Sequence, residues 1–181
     1  MVKLNKFFRG KRVFVTGHTG FKGSWLTSVL IKLGAKVCGF SKIDEKKNQY
    51  KELCYSQKVK NVYGNILDYK KLENTMKKFK PDIIFHLAAQ PLVSESYLDP
   101  YKTFQSNTIG SLNILDITRK ISNVKSLVII TSDKCYKNIE IKRGYKESDI
   151  LGGDDPYSAS KAAAEIIFNA YYKSFYNKKK L

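Results

Sequence analysis

Short apolar runs, each closed by a turn signal, alternate along this chain with longer stretches in which apolar residues recur every three or four positions. Such alternation is what a parallel sheet with helical crossovers requires, because its strands are buried on both faces and its connections each need a helix. Strands are expected at Arg12–Thr16, 35–40, Val59–Tyr63, 81–88 and 126–131. After the first strand, Trp25, Leu26, Val29, Leu30 and Leu33 keep a helical period that stops at Gly34. Further helices are expected over 44–57, 68–80, 100–121 and 156–177, with Pro81, Pro100, Pro156 and the Gly152-Gly153 pair at the breaks. Right-handed crossovers then order the strands 3-2-1-4-5, a doubly wound α/β sheet whose direction reverses between strands one and four, where nucleotides bind. At 181 residues, with neither repeat nor linker, one domain around one core is expected.

Composition narrows the class. An apolar fraction of 43% with 13% aromatics is too rich for a disordered chain. The longest apolar runs, 83–89 and 127–130, are far below the ~18 residues of a membrane span, and the basic start leads into a glycine-rich turn rather than a signal-peptide core. Three cysteines, Cys38, Cys54 and Cys135, form neither CxxC nor paired spacing with His18 and His86, so neither disulfides nor a metal site is expected, and the compartment expected is a reducing cytoplasm. The two histidines read as packed beside strand ends. The net charge of +17 raises nucleic acid as a partner. Yet the lysines are scattered, densest at Lys178, Lys179 and Lys180, with no nucleic-acid-binding motif, and read as a solvated surface.

Two groups of residues carry chemistry. Thr16 to Gly23 is a GxxGxxG turn between a strand and a helix, where glycines let backbone N–H groups reach a pyrophosphate at the positive helix end; such turns also serve conformation alone. After the second strand come Ser41 and Lys42, with Asp44 beyond, which leaves NAD and NADP both open. Gly64, Asn65 and Ile66 after the third strand suit either an adenine edge or a plain turn ending in the cap Asp68. The second group is Thr131, Ser132, Asp133 and Lys134 at the end of strand five, with Tyr157 and Lys161 one helical turn apart. A nearby ammonium lowers a phenol's pKa, so Tyr157 can exchange a proton with a substrate hydroxyl at neutral pH, the base needed when a nicotinamide takes hydride from a hydroxyl-bearing carbon. A Tyr and a Lys at helical spacing are otherwise a surface pair, Asp133 a cap and Lys134 a solvent-facing charge.

The stretches TGHTGFKGSWL, HLAAQPLV, SYLDPYKTFQSN, TSDKCY and GYKESDILGGDDPYSASKAAAE together resemble the extended short-chain dehydrogenase/reductase family, and within it the CDP-glucose 4,6-dehydratases. The resemblance implies a Rossmann-type domain over 1–181 that binds NAD and acts on a nucleotide sugar, CDP-glucose, in deoxysugar biosynthesis for lipopolysaccharide O-antigen. Implied cofactor contacts are Gly17, Thr19, Gly20, Phe21, Lys22, Gly23, Ser41, Asn65, Ile66, Leu87, Ala88, Ala89, Gln90, Asn107, Tyr157 and Lys161. By the same resemblance, Tyr157, helped by Ser132 and Lys161, takes the 4-hydroxyl proton, Lys134 or a partner group the C5 proton, and Asp133 protonates the departing C6 hydroxyl. Ser94 and Asn65 stand where the family commonly has a basic residue and an aspartate. Family members also continue past the equivalent of Leu181 into a segment that closes over the sugar. Its absence here would leave an apolar strand edge at 127–130, self-association through helices near 100–121 and 156–177 as a homodimer, and little activity from the chain alone. Another epimerase or dehydratase of the family, or a non-catalytic NAD-binding fragment, are the rival readings.

Overall fold

The computed structural model describes residues 2–43, 49–53 and 59–177, which divide into two compact units. The first, Met1–Ala88 with Lys120–Ile130, holds the whole sheet. Its strands β1 (Arg12–Thr16), β2 (Lys36–Ser41), β3 (Val59–Tyr63), β4 (Ile83–His86) and β5 (Ser126–Ile129) are parallel and ordered β3-β2-β1-β4-β5. This is the doubly wound order read from the sequence. Val13 pairs with Val37 on one side and Ile83 on the other, all three buried at the centre of the sheet.

Side-chain alternation gives the sheet two covered faces. Val13 and Val15 pack with Leu30, Val37, Val59 and Ile83, joined by the partly buried Phe8, Leu26 and Ile31 from helices α1 (Val2–Phe8) and α2 (Phe21–Lys32). Phe14 points the other way, its ring 6.3 Å from Phe40 and 6.4 Å from Phe79, the last residue of the helix over Tyr69–Phe79. Before that helix comes α3 (Gln49–Leu53), which makes the Tyr69–Phe79 helix α4. The longer helix expected over 44–57 is described only at α3; Asp44, Cys54 and the Lys178, Lys179, Lys180 cluster lie outside the described residues.

The helix ends follow local chemistry. α2 stops because Gly34 adopts φ +80 and its N–H bonds to Ile31 O while Ala35 N–H returns to Leu30 O, which satisfies two terminal carbonyls. α4 starts at Asp68, whose carboxylate accepts from Lys71 N at 3.0 Å.

The second unit, Ala89–Arg119 with Thr131–Leu181, is helical. It contains α5 (Val93–Leu98), α6 (Pro100–Phe104), α7 (Gly110–Arg119) and α8 (Pro156–Tyr171). Asp99-Pro100 and Asp155-Pro156 use one device twice: the aspartate accepts the N–H two residues beyond the proline, and proline fills the first helical position, which needs no donor.

Several boundaries differ from the sequence reading. The helix expected over 100–121 is interrupted by a π-helical turn at Gln105–Ile109, and the one over 156–177 changes to a π-helical turn at Tyr172–Tyr176. Strands β4 and β5 end at His86 and Ile129, short of 88 and 131, because Leu87, Ala88 and Thr131 leave the ladder for other partners. Helices α1 and α5 lie in stretches that carried no helical expectation.

Within the described residues β5 pairs with β4 alone and sits at the sheet margin, with Val128 37% exposed against 0% for Ile84. Ile84→Ala is therefore expected to cost about 2–5 kcal/mol through an unfilled cavity. Val128→Ala should cost under ~1 kcal/mol, because little buried area is lost. Urea unfolding of both variants checks the contrast, and equal losses would contradict this assignment of centre and margin.

Candidate functional site

In the first unit the candidate nucleotide cradle is the turn from β1 into α2. Gly17 has φ +70, and a Cβ there would lie 2.8 Å from Ala88 N and 2.9 Å from Leu87 C. Glycine is needed twice over at this position, for its backbone angle and for the close approach of the chain leaving β4. A Cβ on Gly23 would lie 2.0 Å from Gly17 O, so α2 can begin against the turn only with glycine there. Gly20 is less constrained, its Cβ position 3.3 Å from Gly17 O. Gly17 N–H is spent on Phe40 O and Gly20 N–H on Gly17 O, which fixes the turn internally.

The neighbouring candidates arrange themselves around that turn. Ser41 at the end of β2 donates to Lys42 O, so the Thr19 hydroxyl donates in turn to Ser41 Oγ at 2.9 Å. Phe21 and Lys22 open α2 on its exposed side, Phe21 being 69% exposed. Asn65 turns its side-chain oxygen back to Leu67 N at 3.1 Å, an Asx turn, while Ile66 is buried. Gly64 lies where a Cβ would strike the Phe40 ring at 2.6 Å.

His18, inside the turn, is fully buried and is not a surface residue of the cradle. Its Nε2 is 3.0 Å from Asn61 Oδ1, which also accepts from Tyr50 OH at 2.5 Å, and Tyr50 meets the imidazole edge-on. Gly39 leaves the space that the ring fills. Burial lowers the His18 pKa to about 4, against the opposing pull of Asn61 and the Phe40 carbonyl, so the ring is neutral at pH 7.

The second unit carries the candidate proton-transfer residues. Ser132 caps a 3-10 turn, Asp133–Cys135: its hydroxyl donates to Asp133 Oδ1 at 3.1 Å and accepts from Lys134 N at 3.3 Å. Asp133 and Lys134 are exposed, whereas Cys135 is buried. Burial and the Glu165 and Asp133 carboxylates raise the Cys135 pKa, which leaves an unreactive thiol. The segment is stitched to the approach of α8 by Lys137 N to Ile150 O, Gly152 N to Cys135 O and a Tyr136–Leu151 bridge. Gly153 then rests on the first turn of α8, where a Cβ would lie 2.4 Å from Ala159 N.

Tyr157 and Lys161 lie one turn apart on α8, both nearly buried, with Nζ 5.9 Å from the phenol ring centre. Asp155 caps this helix, accepting from Ser158 N and from Ser158 Oγ. Burial works to raise its pKa and is outweighed by the Ser158 hydroxyl, the N–H groups of Ser158 and Tyr157, and the Lys134 charge, so the net direction is down. The structure thus gathers Tyr157 with Lys161, and Ser132 with Asp133.

Asn107, on the π-helical turn, accepts from Gln90 N at 2.8 Å and donates to Gln90 O at 3.1 Å and to Ser160 Oγ at 2.9 Å. Both amide protons are committed, so its side chain positions Ala89-Gln90 and α8 from behind. Glu165, without a role in the sequence reading, accepts from the Thr131 hydroxyl at 2.5 Å and ties the residue before Ser132 to the helix of Tyr157 and Lys161. Its only sequence signal is its place one further turn beyond Lys161. Among the described residues no cluster of His, Cys, Asp and Glu has the makings of a metal site, and no helix is long and apolar enough to cross a membrane.

The family model for GDP-mannose 4,6 dehydratase matches residues 14–178. The chain belongs to the GDP-mannose 4,6 dehydratase family. It is 45% identical over 173 residues to a CDP-glucose 4,6-dehydratase of Salmonella typhimurium, covering 94% of this chain and 48% of that protein. It is 34% identical over 179 residues to a dTDP-D-glucose 4,6-dehydratase of Dictyostelium discoideum, covering 91% and 41%. Among solved structures, the epimerase Mth375 of Methanothermobacter thermautotrophicus matches with TM-score 0.86 at 28% identity, over 96% of this chain and 51% of that one. A UDP-glucose 4-epimerase of Thermus thermophilus, solved in complex with NAD, matches with TM-score 0.79 at 29% identity, over 91% and 51%. The chain spans about half the length of the curated relatives it matches.

The buried His18 makes a pH prediction. Its pKa in the fold, about 4, lies below the ordinary 6.5, so the unfolded chain takes up the proton first as pH falls. The stabilisation is complete above pH 6.5 and is lost on the way down through 4, on the order of 3 kcal/mol in all. Chemical denaturation across that range should show a steeper loss for the wild type than for His18→Gln; parallel slopes would assign the titration to other groups.

Proposed function

We propose that this chain supplies the NAD-binding and proton-transferring part of a nucleotide-sugar 4,6-dehydratase that converts CDP-glucose to CDP-4-keto-6-deoxyglucose. The observation that carries this reading is the nearly buried Tyr157–Lys161 pair on α8, with Ser132, Asp133 and Lys134 on a segment stitched to the start of that helix. The 45% identity to a CDP-glucose 4,6-dehydratase favours this substrate over other nucleotide sugars.

The cradle passes a test of fit for a dinucleotide. Gly17 and Gly23 leave no room for side chains at their own positions, so bare backbone meets the N-terminus of α2, where a pyrophosphate is favoured. Thr19 and Ser41 offer hydroxyls at the end of β2, where the adenosine ribose is expected. NAD, when bound, supplies a hydride acceptor that returns the hydride within the same turnover, so the reaction has no net redox change.

The chain's own residues move the protons. Tyr157 accepts the proton of the sugar 4-hydroxyl, with the Lys161 ammonium favouring the phenolate and Ser132 holding the oxygen. The resulting 4-ketone acidifies the C5–H bond, whose proton goes to Lys134. Asp133 protonates the C6 hydroxyl, which leaves as water. Lys134 and Asp133 are exposed, as those steps need.

We place the protein in the cytoplasm, in deoxysugar biosynthesis for lipopolysaccharide O-antigen; the buried free thiols Cys38 and Cys135 suit a reducing compartment. We also infer a homodimer through the second unit's helices. Tyr101, Ile109, Ile166, Tyr172 and Phe175 present apolar surface there, Ile166 being 58% exposed.

Titration calorimetry should detect NAD binding that Gly20→Val abolishes, since a branched side chain would intrude on the bound pyrophosphate. Joined to the portion of the Salmonella typhimurium enzyme outside the match, the chain should convert CDP-glucose in preference to dTDP-glucose, and Tyr157→Phe should slow sugar oxidation ~10²- to 10⁴-fold. Unchanged turnover would remove Tyr157 from the chemistry. Sedimentation velocity over a concentration series should show self-association that Ile166→Lys weakens; a monomer throughout would dismiss the dimer.

A further inference from the structure

We propose that Thr16 is a positioning residue that pins the chain leaving β4 to the glycine turn, and that it does so by holding His86 as the neutral tautomer with its proton on Nε2. Thr16 and His86 end the adjacent strands β1 and β4 in register with each other, and they are 0% and 2% exposed. Thr16 Oγ1 lies 2.7 Å from His86 Nδ1. The same oxygen accepts from Ala88 N at 3.1 Å and from Leu87 N at 3.2 Å, the latter shared with Thr16 O.

A threonine hydroxyl has one proton and two lone pairs. The two backbone N–H groups take the lone pairs, which leaves the proton for Nδ1. Nδ1 must then be the bare, accepting nitrogen. The opposite tautomer would aim three donors at one buried oxygen, which has only two lone pairs to offer.

The pinned backbone is the wall that Gly17 touches, since the atoms nearest a Cβ at Gly17 are Ala88 N, Ala88 Cα and Leu87 C. The glycine turn and the exit of β4 are therefore set against each other by one hydroxyl. Loss of that hydroxyl frees the Ala88 N–H and lets the wall drift from the turn. The consequence for cofactor affinity rests on the dinucleotide reading above, whereas the proton position and the pin do not.

Nitrogen-15 NMR of the histidine rings at neutral pH, with His86 assigned by comparison with His18→Gln, should find Nδ1 bare and Nε2 protonated. Thr16→Val should speed amide hydrogen exchange at Leu87 and Ala88, mix the His86 tautomers, and weaken NAD binding about tenfold, the equivalent of one lost buried hydrogen bond. Thr16→Ser, which keeps the hydroxyl, should restore all three. A proton on His86 Nδ1 in the wild type overturns the proposal, and that measurement decides even if Thr16→Val fails to fold. Undiminished protection of Leu87 and Ala88 in a folded Thr16→Val overturns it equally. If the wild type takes up no NAD while tautomer and exchange come out as expected, the pin stands and the dinucleotide reading falls.

Discussion

The contact on which the first unit turns is backbone against backbone: Gly17 lies so close to Leu87 and Ala88 that a single methyl group would not fit. Because α2 starts just beyond, against Gly17 O at Gly23, this approach also sets where the helix N-terminus points. The anion-attracting end of α2 and the mouth between β1 and β4 are thus parts of one object. His18 underpins it from below, neutral and clamped to Asn61, with Gly39 opened to admit its ring.

The second unit reaches a comparable rigidity by different means. Here side chains do the fastening: Asp155 on the start of α8, Asn107 on Gln90 and Ser160, Glu165 on Thr131. Each joins an element bearing a candidate proton-transfer or cofactor residue to its neighbour. Tyr157 and Lys161 need none of them to share a helix face, but Ser132 is brought to that helix through Thr131 and Glu165.

How far the molecule was legible in the sequence follows from the range of its interactions. β1 and β3 begin and end where the sequence reading places them, and the Gly34, Asp68, Pro100 and Pro156 punctuation acts through bonds a few residues long. The glycine turn and the Tyr157–Lys161 spacing are likewise local signals. What escaped is held by distant partners: Glu165 by Thr131, 34 residues away; Asn61 by His18, 43 away; Thr16 by His86, 70 away. No pattern within a short window records such pairs. The shortened ends of β4 and β5 have the same origin, since the residues that leave the ladder leave it for Thr16 and Glu165.

The π-helical turn at Gln105–Ile109 separates α6 from α7 within what reads as one helix. A π turn carries an extra residue beyond the α-helical count, so it shifts the phase of everything after it. Asn107 is buried on that turn while Ile109, two residues on, is 44% exposed. Register along this segment is therefore set by residue number as much as by residue type. A one-residue deletion here would swing α7 by about a quarter turn relative to α6. Among natural variants of this chain, the segment should accept changes of side chain far more readily than changes of length.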